Sequence, residues 1–295
     1  MSLVMTVIAG AAAHDTLPDL IGRLAAALPL TAAPDWLAPG IACDLALFGS
    51  DAAGAEQIAR QAIGAAAIDV LVQATAGRRK RVLVADLEST IIENEMLDEL
   101  ADFVGRRAEV AEITRRAMNG ELDFAAALAE RVALLAGLPA SVLDAAAARI
   151  RLMPGARALI ATARAAGVRT ALVSGGFTVF AEPIAAMLGF DRVVANRLDI
   201  VDGRIGGTVA APLVTGDTKR AALLALADEC GVGPAATLAV GDGANDLPML
   251  ETAGLGVAFR AKPAVATTAR WRIDHGDLTA LLYAQAYRRD EFVVI

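Results

Sequence analysis

Residues 81–90 read Arg-Val-Leu-Val-Ala-Asp-Leu-Glu-Ser-Thr (RVLVADLEST). A short apolar run of β-branched type breaks off at an acid, Asp86. That is how a strand buried on both faces of a parallel sheet reads. Further runs of this kind lie downstream: VRTALV, closed by Ser174-Gly175-Gly176; TLAV, closed by GDGANDLPML; and LGVAF. Helical patterns separate them, at Ala156 to Ala166, after the SGG turn, and near residues 218–230. Strands alternating with helices predict an α/β fold with a parallel, doubly wound sheet. DRVVANRLDIVDGRIGGTV predicts a hairpin with Asp202-Gly203 at its turn. Residues 93–150 contain no strand pattern and read as a helical block; Gly120 ends one helix and Asp123 can N-cap the next. Upstream, LVMTVIAG, CDLALFG and IDVLVQ read as strands, and Thr16–Leu28 and Ala52–Ala66 as helices, giving a small α+β layer. The basic run Arg78 to Arg81 reads as a solvated linker. The expected division is residues 1–77 and 78–295, with the helical insertion at about 93–150.

Composition narrows the function. The chain has 295 residues, 56% hydrophobic, with formal net charge −7. No basic stripe supplies phosphate contacts, which argues against nucleic acid. No charge-free stretch reaches the ~18 apolar residues of a spanning helix, so no membrane partner is expected. The opening MSLVMTVIAG lacks a basic n-region, and Cys43 and Cys230 form neither metal spacing nor a disulfide framework; a reducing cytoplasm is the expectation. The two histidines, His14 and His275, sit beside no plausible nucleophile or second ligand. Ser-His catalysis and zinc hydrolysis are therefore poor fits.

In an open α/β sheet, ligands bind outside the carboxyl ends of the strands. Asp86, Ser174-Gly175 and Asp242 all fall there, and Lys219 begins an intervening helix. Taken singly, each has a bland reading: helix cap, turn residue, solvated lysine. Together they suit phosphoryl transfer. Asp86 and Asp242 are hard oxygen ligands for Mg²⁺. The metal and Lys219 would neutralise charge so that a carboxylate can approach a phosphoryl group. Ser174 and the Gly175 N–H could hold phosphate oxygens. Asp86 can act as nucleophile and Glu88 as general acid, then base.

DLESTIIENEMLDELA, ITRRAMNGELDF, ERVALL, LVSGGF, VANRL, TKRAAL and AVGDGANDLPML occur in this order, and the stretch from about Val82 to Asp277 resembles the phosphoserine phosphatases of the haloacid dehalogenase superfamily. The resemblance implies a Rossmann-like core with a helical cap, Mg²⁺, and hydrolysis of O-phospho-L-serine in serine biosynthesis. The leading residues resemble a small ACT-like domain by layout. Such units often pair, so the resemblance suggests a homodimer. Residue by residue, it implies Asp86 as nucleophile, Glu95 against the serine ammonium and Arg131 against its carboxylate. It implies Met118 and Phe124 as apolar lid residues, Ser174 and Gly175 as the phosphate pair, and Lys219 as the phosphate-neutralising lysine. Asp86, the Glu88 carbonyl and Asp242 would hold the metal, Asn245 would lie on the phosphate side, and Asp246 would be a carboxylate near the metal. Glu95 and Arg131 also carry the opposite charges that an amino-acid zwitterion requires.

Glu88 departs from the family's aspartate. It reaches roughly one C–C bond further, though its intrinsic pKa differs by only about 0.4 units. An active but slower enzyme is expected, because misplacement by about 1 Å can cost on the order of 10²-fold. Two rivals stay open: an enzyme for another small phosphate ester or for transfer to homoserine, and a catalytically silent amino-acid sensor.

Overall fold

The computed structural model describes residues 2–49, 51–118 and 121–293, the side chains of residues 117 and 118 excepted. Gly120 lies outside the described residues. The chain starts with β1 (Leu3–Ala9), α1 (Leu17–Ala27), β2 (Asp35–Ala38), β3 (Ala42–Leu47), α2 (Ala52–Ile63) and β4 (Ile68–Ala74). The four strands form one sheet in the order β2-β3-β1-β4, every pair antiparallel. This is the split βαβ arrangement of a ferredoxin-like layer. Strand alternation gives the sheet two faces. Met5, Val7, Cys43, Leu45 and Val70 pack against Leu17, Leu20 and Leu24 of α1. Ile8, Ala42 and Leu71 face the other way and join the core of the rest of the molecule. The four-residue β2 gave no sequence signal, being too short to show alternation. The helix expected to reach Ala66 stops at Ile63, because Gly64 turns at φ +58°.

Next come β5 (Val82–Ala85), the cap helices α3 (Met96–Phe103), α4 (Arg107–Met118), α5 (Phe124–Ala133) and α6 (Ser141–Ala147), then α7 (Ala156–Ala165) and β6 (Arg169–Phe177). α8 (Thr178–Leu188), β7 (Arg192–Val201), β8 (Arg204–Ala210), α9 (Gly216–Glu229), β9 (Thr237–Gly241) and α10 (Leu247–Thr252) follow. The chain continues through β10 (Leu255–Phe259), α11 (Pro263–Thr268), β11 (Trp271–Ile273) and α12 (Ala280–Ala284). The second sheet has the order β11-β10-β9-β5-β6-β7-β8 and is parallel except for the β7/β8 hairpin. Asp202 and Gly203 both take positive φ at the hairpin turn, +50° and +71°, which matches the twist of the flanking strands. β5 lies at the centre, buried on both sides. Val82 and Val84 pack with α9 and α10 residues such as Leu226 and Met249. Leu83 and Ala85 pack with Leu159, Phe180 and Leu282 on the opposite face.

The cap is rooted where Ile92 bridges Leu152 and Glu93 N–H donates to Arg151 O at 2.9 Å. Buried Asn94 clamps that root, accepting from Arg151 N–H at 2.8 Å and donating to Glu99 Oε1 at 2.8 Å. A second tie comes from the hairpin. Gly137 N–H donates to Ile205 O at 2.8 Å, and Ile205 N–H to Leu138 O at 2.9 Å.

The basic run is not a solvated linker. Arg79 and Arg81 are exposed, but Arg78 and Lys80 are buried. Arg78 donates to Asp44 Oδ2 at 2.5 Å, Thr6 Oγ1 at 2.8 Å, and the carbonyls of Tyr283 and Ala284 at 3.2 and 3.1 Å. Arg78 thus pins the first sheet to α12, while Lys80 Nζ donates to Gly77 O and Ala235 O at 2.8 and 2.9 Å. Among the described residues, no helix is long and apolar enough to cross a membrane.

Candidate active site

The carboxyl ends of β5, β6, β9 and β10 open onto one cleft of about 640 Å³, roofed by α3 and α5. Because β5 sits between β6 and β9, the residues that end these strands are necessarily neighbours. Asp86, Glu88, Glu95, Phe124, Arg131, Ser174, Gly175, Asp242 and Asn245 all line the cleft. Lys219 lies behind Asp86. The three strand-end clusters therefore meet in one pocket.

Lys219 is fully buried and donates to Asp86 Oδ1 at 2.5 Å and to Asp246 Oδ1 at 2.6 Å. The Thr215 N-cap sets the start of α9, through a reciprocal capping box with Thr218, and so fixes where Lys219 points. Burial alone would lower the Lys219 pKa, but the two carboxylates outweigh it and hold the ammonium charged. Asp246 also accepts from Gly243 N–H at 2.9 Å. Oxygens of Asp86, Asp242 and Asp246 lie within 4.8 Å of one another, and all three residues are buried. Burial, reinforced by the Asp246 charge, raises the Asp86 pKa to about 8 against the pull of Lys219. Burial raises Asp242 to about 6. A buried cluster of three carboxylates facing one lysine carries surplus negative charge, and its hard oxygen donors fit a divalent cation such as Mg²⁺.

Glu88 is partly buried. Its Oε1 accepts from Met96 N–H at 3.2 Å, in the first turn of α3. Burial, then the charges of Glu95 and Asp86, raise its pKa to about 8. A protonated carboxyl at neutral pH is what a general acid requires. The extra methylene is accommodated because position 176 is glycine: a Cβ there would come within 2.7 Å of Glu88 Oε1. Ser174 Oγ accepts from Gly176 N–H at 2.9 Å, which turns its own proton away from that contact.

Phe124 begins α5, whose N-cap Asp123 accepts from Ala126 N–H at 2.7 Å. Its ring covers Gly175, where a Cβ would come within 3.3 Å of Phe124 Cζ and 3.5 Å of Asn245 Nδ2. Glu95 Oε1 accepts from Ser89 Oγ at 2.9 Å, a contact that the left-handed turn at Ser89 (φ +55°) allows. Arg131 also lines the cleft, its Nε donating to Ala127 O at 3.2 Å. The Met118 side chain lies outside the described residues.

Three contributors escaped the sequence reading. Asn196 donates to Gly175 O and accepts from Val214 N–H, both at 2.8 Å, bracing the Ser174-Gly175 turn. It stands inside VANRL, but an asparagine in a strand gives no role by itself. Asp98 lines the cleft one turn after Glu95. Lys262, three residues past β10, brings its ammonium to 3.4 Å from both Glu95 Oε1 and Asp242 Oδ2. The strand-end rule that picked out Asp86 applies equally to Lys262.

Comparison with known proteins shows the family. The family model of haloacid dehalogenase-like hydrolases matches residues 83–251. The chain is 46% identical over 226 residues to a phosphoserine phosphatase, SerB2, of Mycobacterium tuberculosis, a match covering 76% of this chain and 55% of that protein. It thus spans about half of that relative's length. It is 47% identical over 199 residues to the phosphoserine phosphatase of Streptococcus thermophilus, covering 68% of this chain and 93% of the relative. Among solved structures, a probable phosphoserine phosphatase from Vibrio cholerae in unliganded form superposes with TM-score 0.77 at 31% identity, covering 98% of this chain and 88% of that one.

Proposed function

We propose, from the premise that this chain belongs to the haloacid dehalogenase-like hydrolases, that it hydrolyses O-phospho-L-serine to L-serine and phosphate, the last step of serine biosynthesis. The observation that supports the reading is the content of one cleft: the Asp86 carboxylate and the Ser174-Gly175 turn line it together with Glu95 and Arg131, which bear opposite charges. A phosphoamino acid has a phosphate, an ammonium and a carboxylate to match.

In this reading Asp86 attacks phosphorus, forming an aspartyl phosphate, and Glu88 gives its proton to the departing serine oxygen. Glu88 then takes a proton from the water that attacks the aspartyl phosphate, releasing phosphate and regenerating Asp86. Ser174 Oγ–H, Gly175 N–H and Asn245 hold phosphate oxygens, and Lys219 neutralises charge on Asp86 and the phosphoryl group. Arg131 takes the serine carboxylate in a two-pronged grip and Glu95 takes the ammonium. Phe124 closes the apolar roof and excludes water. Asp86, the Glu88 carbonyl and Asp242 would hold Mg²⁺, with Asp246 beside them; when bound, the ion supplies charge neutralisation at the phosphoryl oxygens.

The same reading makes residues 78–295 the phosphatase, with the cap at about 93–150, and residues 1–77 an ACT-like unit; the two separate sheets support that division. Pairing through the smaller unit belongs with it, supported by Phe48, which is 75% exposed just past β3. Sedimentation measurements that find only monomer would remove the pairing. A cytoplasmic location accords with the free thiols of Cys43 and Cys230.

The test is Mg²⁺-dependent phosphate release from O-phospho-L-serine, compared with O-phosphoethanolamine, which lacks the carboxylate, and phospholactate, which lacks the ammonium. O-phospho-L-serine should be turned over fastest, chelation should stop release, and Asp86→Asn should lower kcat by on the order of 10⁴-fold or more. Equal turnover of all three esters removes the substrate assignment.

A further inference from the structure

The loop after β10 carries a cation that the steps above leave without a part. Arg260 turns at φ +44°, with its N–H donating to Ile273 O at 2.7 Å and its guanidinium to Gly276 O at 3.0 Å. Two residues on, Lys262 N–H donates to Asp242 O at 3.1 Å. The Lys262 carbonyl accepts from Val265 and Ala266 N–H at 2.9 and 3.0 Å, where α11 begins. The backbone is thus fixed on both sides of the lysine. The side chain is not: it is 60% exposed, with its Nζ at 3.4 Å from Glu95 Oε1 and from Asp242 Oδ2. A lysine ammonium on a flexible stem makes point-charge contacts of this kind and can leave them.

We propose that Lys262 is a resident counter-cation of the ligand-free cleft, holding Glu95 and Asp242 together and yielding both when a divalent ion and the substrate ammonium arrive. The inference deepens the phosphoserine phosphatase reading and rests on it. Two positive groups must reach this cleft, one toward Asp242 and one toward Glu95. Lys262 already neutralises both carboxylates, so it competes with each newcomer. Without it, Glu95 and Asp242 would face each other with like charge, since among the described residues no other cation is paired with both. The competition is modest: partly exposed pairs are weak, so it amounts to about 1.5- to 5-fold in affinity.

The experiment is calorimetric titration of the full-length protein with Mg²⁺ alone. Lys262→Met and Lys262→Gln should bind the ion about 1.5- to 5-fold more tightly than the wild type. Lys262→Arg, which keeps the charge, should stay close to the wild type. The gap should narrow as ionic strength rises, because exposed charges are screened. Mg²⁺ affinity that is unchanged or weaker in Lys262→Met overturns the proposal. Phosphate release from O-phospho-L-serine by wild type from the same preparation tests the functional reading separately. An active wild type with unchanged Mg²⁺ affinity in the variant sinks only the role of Lys262.

Discussion

Glu88 shows how one residue's environment can compensate for a change in length. Its longer side chain reaches a donor at the start of the cap, Met96 N–H, and occupies the space that Gly176 leaves. Its folded pKa lies near 8, above the usual carboxylate range, so the proton is present below that pH and lost as pH rises through it. Asp86 has a similarly raised pKa in the metal-free cleft and must be ionised to attack, so with a divalent ion bound to keep Asp86 ionised, turnover should fall as pH rises through about 8 if Glu88 is the acid. Glu88→Gln should lower kcat by about 10²- to 10⁴-fold and erase that alkaline limb; a variant that keeps both rate and limb would show that the proton comes from elsewhere. Gly176→Ala tests the packing. The added methyl meets the far end of a flexible side chain, so the protein should fold and melt near the wild-type temperature. Its kcat should nonetheless drop, by up to about 10²-fold, as the Glu88 carboxyl is displaced. At this scale the sequence showed the strand-end acids plainly, because a carboxylate after a buried strand interrupts an apolar pattern. It did not show Asn196, whose role comes from contacts across elements and leaves no periodic trace, whereas Lys262, just past β10, falls under the same strand-end rule.

Among the elements, the central strands and their helices were legible because burial on both faces forces continuous apolar runs. The Asp202-Gly203 hairpin was legible because only a few residues tolerate two successive positive φ angles. β2 was not, and neither was the hairpin's second use as a brace for the cap, since backbone bonds between distant segments carry no side-chain signature. The root of the cap depends on Asn94, which joins residues 94, 99 and 151. Asn94→Ala should lower stability by about 0.5–1.5 kcal/mol, as read from denaturant unfolding, by removing the part-buried hydrogen bonds with Arg151 N–H and Glu99. It should also raise KM for O-phospho-L-serine while leaving the pH profile in place. A shift of the profile instead would mean that Asn94 acts on Glu88 and not on cap closure.

At the scale of the molecule, the expectation of a solvated basic junction failed for an identifiable reason. Four consecutive cations look like a water-exposed run, but the chain bends at Arg79 and Arg81, so two of the four side chains are turned into the molecule. Arg78 and Lys80 turn inward while Arg79 and Arg81 stay out. Polar residues on the inward face of the first sheet are the counterpart. Asp44 and Thr6 meet Arg78, Gln73 donates to Ala284 O at 2.7 Å, and Asp69 accepts the N–H groups of residues 274–276. Arg78→Met leaves Asp44 buried and unpaired and should cost about 3–5 kcal/mol in urea unfolding. The double variant Arg78→Met with Asp44→Leu should recover most of that loss; if it does not, the Arg78 contacts to the Tyr283 and Ala284 carbonyls matter more than the ion pair.

The bracing of the cap sets how the cleft can open. One anchor lies at the Ile92–Leu152 bridge and the other at the Gly137–Ile205 bonds. Because α5 also packs along β8, the cap is fastened at its root and along the hairpin, so widening the cleft would fall to the Phe124 end of α5, which covers Gly175.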